Sequence, residues 1–323
     1  MLRDRPWLTG LIIAAGLALA SIAVTIILAV VRHEITSDLP DPGKPLESYA
    51  PKTVTGTTDI PYGAGPRQKL DVWFPKSLAA GKVLPTIVWA HGGGWSGGDK
   101  SLVAPYLQIL ADRGFTVVGV NYSLSPGARY PTQVREVNAA LGFLNVHASE
   151  LHVDSSRFVL AGDSGGAQIV AQVASLTTNP TFASQLGVVP VVKPEQVVGV
   201  VLASGVVDLS SADRFTGSAR TNVIDYIGST TDDALLRLAS VTPHVTSNFP
   251  PTWVTSGNAD LLSPQVKAFA RVLRDKRVDV DEVFFAKGHK PLLIHEYQFL
   301  LGLDEAQEAL KSLIDFVGKQ TRR

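Results

Sequence analysis

Short apolar, β-branched runs recur along most of this chain, spaced widely enough to leave room for a helix between them. They are Lys69–Phe74 (KLDVWF), Pro85–Ala90 (PTIVWA), Phe115–Asn121 (FTVVGVN), Arg157–Ala161 (RFVLA), Val197–Leu202 (VVGVVL), Thr252–Ser256 (TWVTS) and Val280–Phe285 (VDEVFF). Runs of this length and composition, bounded by turn formers, predict buried strands. Between them the apolar spacing becomes helical. Pro131 opens PTQVREVNAALGFLNVHAS, Ser263-Pro264 opens the run to Asp275, and Asp304 begins DEAQEALKSLIDFVGK. Proline suits the first turn of a helix, whose N–H groups have no partner. Alternating strands and helices predict an α/β fold with a mostly parallel central sheet flanked by helices.

The N-terminus breaks this pattern. Residues 1–6 form a short polar tail, and Trp7–Val31 then run for 25 residues without a charge. As a helix that run would reach roughly 37 Å, enough to cross a hydrocarbon layer of about 30 Å with some tilt. A cleaved signal peptide is the competing reading, but its apolar part is shorter and ends in small residues. Here Val30 and Val31 precede Arg32, so a single uncleaved membrane helix is expected. Residues 32–51, rich in proline and aspartate, read as a stalk. A lone span before a large domain suggests a signal anchor, with residues 52–323 on the extracytoplasmic side.

Composition narrows the function. The 323 residues carry 29 Lys plus Arg against 29 Asp plus Glu, so the formal net charge is zero. Without a basic run, nothing supports nucleic-acid binding. The chain has no cysteine, which excludes disulfides and thiolate metal sites. Nothing in the sequence implies a metal or organic cofactor, and nothing reports the oligomeric state.

Candidate chemistry begins at AGDSGGAQ, Ala161–Gln168. It follows a predicted strand and precedes a predicted helix, the context of a nucleophile elbow, G-x-S-x-G, with Ser164 as nucleophile. A serine hydroxyl needs a base, and the base needs a third group to orient it. HGGGWSGGD, His91–Asp99, follows another strand, and adjacent glycines let backbone N–H groups turn toward an oxyanion. Gly93 and Gly94 are the candidate donors, joined by the N–H of Gly165. His91 is read as bracing the loop. Asp260, after the strand TWVTS, is the candidate orienting carboxylate, and Ser, Asp, His is the chain order of this architecture. The loop AKGHKPLLIHEYQF offers two bases, His289 nearest the strand end and His295 just before the last helix.

These pieces together resemble the α/β-hydrolase superfamily. More narrowly they resemble its HGGG/GDSxG esterase branch, which holds hormone-sensitive-lipase-like carboxylesterases and acetyl and feruloyl esterases. The similarity extends to DIPYGAGPRQKLDVWFP, GGDK, NYSLSPGARYPTQVREVNAALGFL and HVDSSRFVLAGDSGG, and covers about Val54 to the C-terminus. It implies an ester substrate, a Ser164–His–Asp260 triad and a small cap over the pocket at about residues 208–248. HEYQF resembles the family's H-G-F entry to the last helix, which favours His295 as base over its alternative, His289. The sequence departs from the family at Ser123, at Arg135-Glu136 and at the glycine directly after Ser164. An amidase or formamidase would use the same machinery. A non-catalytic hydrolase-fold binding domain would have lost one of the pieces, and none is missing.

Overall fold

The computed structural model describes residues 43–210 and 215–322. The predicted membrane helix, the tail before it and most of the stalk lie outside the described residues. Among the described residues, no helix is long and apolar enough to cross a membrane.

Eight strands form one sheet. They are β1 (Val54–Pro61), β2 (Lys69–Pro75), β3 (Leu84–Ala90), β4 (Thr116–Val120), β5 (Val153–Asp163), β6 (Val197–Ala203), β7 (Thr252–Thr255) and β8 (Val280–Val283), in the spatial order β1-β2-β4-β3-β5-β6-β7-β8. β1 and β2 pair antiparallel with their neighbours, and β3 to β8 run parallel. The sheet is therefore mostly parallel, with an antiparallel edge. β1 escapes sequence reading because it is an edge strand with much of its length exposed. An edge strand packed on one side only needs no continuous apolar run.

Helices cover both faces: α1 (Lys100–Ala111), α2 (Thr132–Val146), α3 (Ser164–Thr178), α4 (Pro180–Leu186), α5 (Gly217–Ile227), α6 (Asp233–Ala239), α7 (Ser263–Asp275) and α8 (Asp304–Thr321). Side chains of a strand alternate between faces, and the core divides accordingly. Val88 and Ala90 of β3 pack on the side of α2, α3 and α7. Ile87 and Trp89 pack on the side of α1 and α8. Every residue of α3 is buried, because α2, α4 and the α5–α6 segment enclose what the sheet leaves open.

One local feature departs from the sequence reading, and a second adds to it. The end of the segment read as stalk is docked on the domain: Leu46–Tyr49 form a 3-10 turn, and Leu46 and Tyr49 pack against the α1–α8 core. These two are among the few apolar side chains in a Pro- and Asp-rich stretch. The GGDK segment is structural. Asp99 caps α1 by accepting from Ser101 N, while Lys100, almost fully buried, pairs with Asp59 at 2.8 Å and Asp71 at 2.9 Å.

Candidate active site

The turn from β5 into α3 presents Ser164 at the carboxyl end of the central strands, where open α/β sheets gather their ligands. Its φ is 48°, a left-handed conformation that non-glycine residues seldom adopt. The end of β3 lies close behind this turn and leaves no room for a side chain at Gly166. A Cβ on Gly166 would sit 2.1 Å from Ala90 O and 2.4 Å from His91 O. That approach explains the glycine two residues after the serine.

His295 Nε2 lies 3.0 Å from Ser164 Oγ, and its Nδ1 lies 3.0 Å from Asp260 Oδ2. An ionised carboxylate only accepts, so Nδ1 carries a proton and Nε2 is left to accept from the serine hydroxyl. Ser256 Oγ and Leu262 N also donate to Asp260. Burial raises the Asp260 pKa, but the hydrogen bond and charge of His295 together with these donors outweigh it and hold the group below its ordinary value. Burial likewise depresses His295, yet Asp260 and the nearby Glu296 carboxylate push it above its usual value. Each partner thus favours the charged form of the other.

The loop between the two candidate histidines is pinned rather than free. Asn258 donates to His289 O at 2.9 Å and accepts from Leu293 N at 2.8 Å, and Ala259 N donates to Leu293 O at 3.0 Å. This folds KPLLI back on the Asp260 turn and carries His295 to the serine. His289 is turned away: its Nε2 is 2.5 Å from Glu305 Oε1, and its ring packs on Phe285. Only His295 of the two is brought to Ser164.

Three successive left-handed residues, Gly93 (φ 108°), Gly94 (φ 58°) and Trp95 (φ 61°), curl the HGGGW loop beside Ser164. Gly165 lies directly under Trp95, where a Cβ would approach the indole to 3.2 Å. The loop is fastened by Gly97 N to Gly93 O, Ser125 N to Trp95 O, and Tyr122 OH to His91 O. His91 is buried, stacks on Tyr122 and bonds Gly92 O through Nδ1. It braces the loop and does not face the cavity.

Ser164, Asp260, His295, Gly93 and Gly94 line one cavity of about 790 Å³. Its roof comes from the segment between β6 and β7, through Phe215, Asn222 and Val223 among others. Tyr226 fastens that roof by stacking on Trp95 at 4.4 Å and 2°, and both rings donate to Gln168 Oε1. Asn222 Nδ2 points at the glycine loop, since a Cβ on Gly94 would meet it at 2.0 Å. Sequence reasoning assigned no role to Trp95, Asn222, Asp163 or Glu296. The departures at Ser123 and Glu136 explain each other: Glu136 accepts from Ser123 N and Oγ at 2.6 and 2.7 Å. Among the described residues, no group of three or more histidines and carboxylates could hold a metal ion.

The family model BD-FAE matches residues 70–272. Esterase LipQ of Mycobacterium tuberculosis is 29% identical over 256 residues, covering 74% of this chain and 56% of LipQ. Carboxylesterase NlhH of the same organism is 31% identical over 273 residues, covering 79% of this chain and 76% of NlhH. The chain spans little more than half the length of LipQ and of a further relative, esterase LipC. Among solved structures, esterase B from Lactobacillus rhamnosis superposes with a TM-score of 0.75 at 22% identity, over 94% of each chain. At that identity the likeness speaks for the fold, and it is the fold reached above from strand order. The chain belongs to the BD-FAE family, within the esterase branch of the α/β-hydrolase superfamily.

Proposed function

We propose that this protein is a serine carboxylic-ester hydrolase held at a membrane by its N-terminal apolar run. The observation that carries the catalytic reading is a single imidazole 3.0 Å from Ser164 Oγ and 3.0 Å from Asp260 Oδ2. In the proposed cycle, Ser164 Oγ attacks the ester carbonyl carbon while its proton passes to His295 Nε2, and Asp260 stabilises the imidazolium. The N–H groups of Gly93, Gly94 and Gly165 receive the developing oxyanion. A single such donor typically contributes about 10²–10³ in kcat. His295 then protonates the leaving alkoxide and the alcohol departs. Water, deprotonated by the same imidazole, attacks the acyl-serine, and the carboxylic acid is released with Ser164 restored. The relatives LipQ and NlhH, named an esterase and a carboxylesterase, support this chemistry.

The cavity's mixed lining, with Val206, Val223 and Leu262 beside Asn222 and Glu296, suits an uncharged ester with an apolar acyl chain. The anchoring rests on the uncharged run Trp7–Val31 and the stalk after it, with the hydrolase domain on the extracytoplasmic side. Ser164→Ala tests the chemistry. It should lower turnover of short-chain p-nitrophenyl esters by at least about 10⁴-fold, with circular dichroism and Tm unchanged. Near-normal turnover in that variant would refute the mechanism.

A further inference from the structure

Beside the candidate active site two carboxyl groups meet. Asp163 ends β5, fully enclosed, and its two oxygens accept from Trp89 Nε1 and Gly92 N, each at 2.7 Å. Glu296 directly follows His295 and hydrogen-bonds the Asp163 carboxyl. Both groups crowd Gly92, where a Cβ would lie 2.3 Å from Asp163 Oδ2 and 2.8 Å from Glu296 Oε1. Glu296 Oε1 is also 3.7 Å from His295 Nε2, and the residue lines the cavity.

Two carboxyls this close do not both ionise, and one proton is shared between them. Burial and the neighbouring Glu296 carboxyl push the Asp163 carboxyl well above its usual range. Glu296 is 30% exposed, and its Oε1 faces the imidazole. Its backbone sits at φ 60°, a conformation that favours glycine, and Glu296 N donates to Ser204 Oγ at 3.1 Å. A glutamate kept in a glycine-like turn directs attention to what its side chain does.

We propose that Glu296 is a positioning residue for the base, a second carboxylate on the Nε2 side of His295 that complements Asp260 on the Nδ1 side. It makes the imidazole a stronger base toward Ser164 and holds the imidazolium until the leaving group takes the proton. The inference rests on His295 acting as that base. The titratable and charged groups facing this cluster are Asp260 from the loop after β7, Ser164 from α3, and Tyr122 from behind Asp163. Arg67, bonded to Tyr122 O, and the neutral His91 lie beyond.

The test is an NMR titration of the His295 side chain in the full-length protein, its signal assigned by loss in His295→Ala. The kcat/KM–pH profile on p-nitrophenyl acetate is measured alongside. Glu296→Gln removes the charge while keeping size and hydrogen bonding, and it should lower both the His295 pKa and the acid limb by about one unit. An unchanged His295 pKa in Glu296→Gln overturns the proposal. Should that variant fail to fold, Glu296→Gly, which suits the backbone, is read by the same criterion. Absence of ester hydrolysis in the wild type would refute the catalytic reading instead, while the imidazole titration still decides the role of Glu296.

Discussion

His295 and His289 stand six positions apart in one loop and end in different chemistry. His289→Ala should retain turnover within a few-fold and lose about 1 kcal/mol of stability in urea, the usual loss for one hydrogen bond. His295→Ala should abolish turnover, and the reverse pattern in an ester assay would exchange their roles. His91 sets a pH dependence of its own. Burial, only partly offset by its bond to Gly92 O, pulls its imidazole down to about 4 from 6.5. The unfolded chain binds a proton across that window and the folded protein does not. Stability therefore falls as pH drops from about 6.5 toward 4, by up to about 3 kcal/mol. His295, whose pKa is raised, acts with the opposite sign: its contribution is present below 6.5 and is lost as pH rises through its folded value. Urea melts from pH 4 to 8 should show a shallower acid slope in His91→Gln, and an unchanged slope would remove His91 as the cause.

At the scale of elements, the end of β3 lies close behind the sharp turn between β5 and α3. Gly166→Ala places a methyl against Ala90 O and His91 O, both backbone atoms that cannot swing aside. The variant should lose about 1–3 kcal/mol through overpacking. It should lose activity more steeply than stability, because moving α3 moves Ser164. Equal stability by denaturant titration would mean that α3 has room to retreat. The roof is a separate element, held on the glycine loop in part by the stack of Tyr226 on Trp95 and the bond from Tyr226 to Gln168. Tyr226→Ala should raise KM for longer acyl chains more than it lowers kcat for acetate. A uniform fall in kcat across chain lengths would place the effect on the glycine loop instead.

Taken as a whole molecule, the hydrolase domain has a core on each face of its sheet, and the chain reaches that core by Leu46. A protein beginning at residue 43 should therefore fold and match the full chain in kcat on a soluble ester. The full chain should sediment with membranes after alkaline carbonate extraction, and the shorter one should not. Recovery of the full chain in the soluble fraction would end the anchoring proposal.

How far the sequence alone reached depended on how local each signal is. Ser164 with its glycines and the His91–Trp95 loop are each written within a few consecutive residues, because an elbow and an oxyanion loop are made by backbone conformations that neighbouring residues impose. The inner parallel strands, β3 to β7, were legible for a related reason, since a strand buried on both faces is mostly apolar. Residue type and spacing left His289 and His295 both open, and only the resemblance of HEYQF favoured His295, the imidazole that the fold brings to Ser164. The choice of base depends on Asn258, from another loop, fastening Leu293 and His289 O. The pairing of Asp163 with Glu296 depends on two elements that meet only in the folded sheet. Contacts between distant segments leave no periodic trace along the chain, and tertiary structure alone decides them.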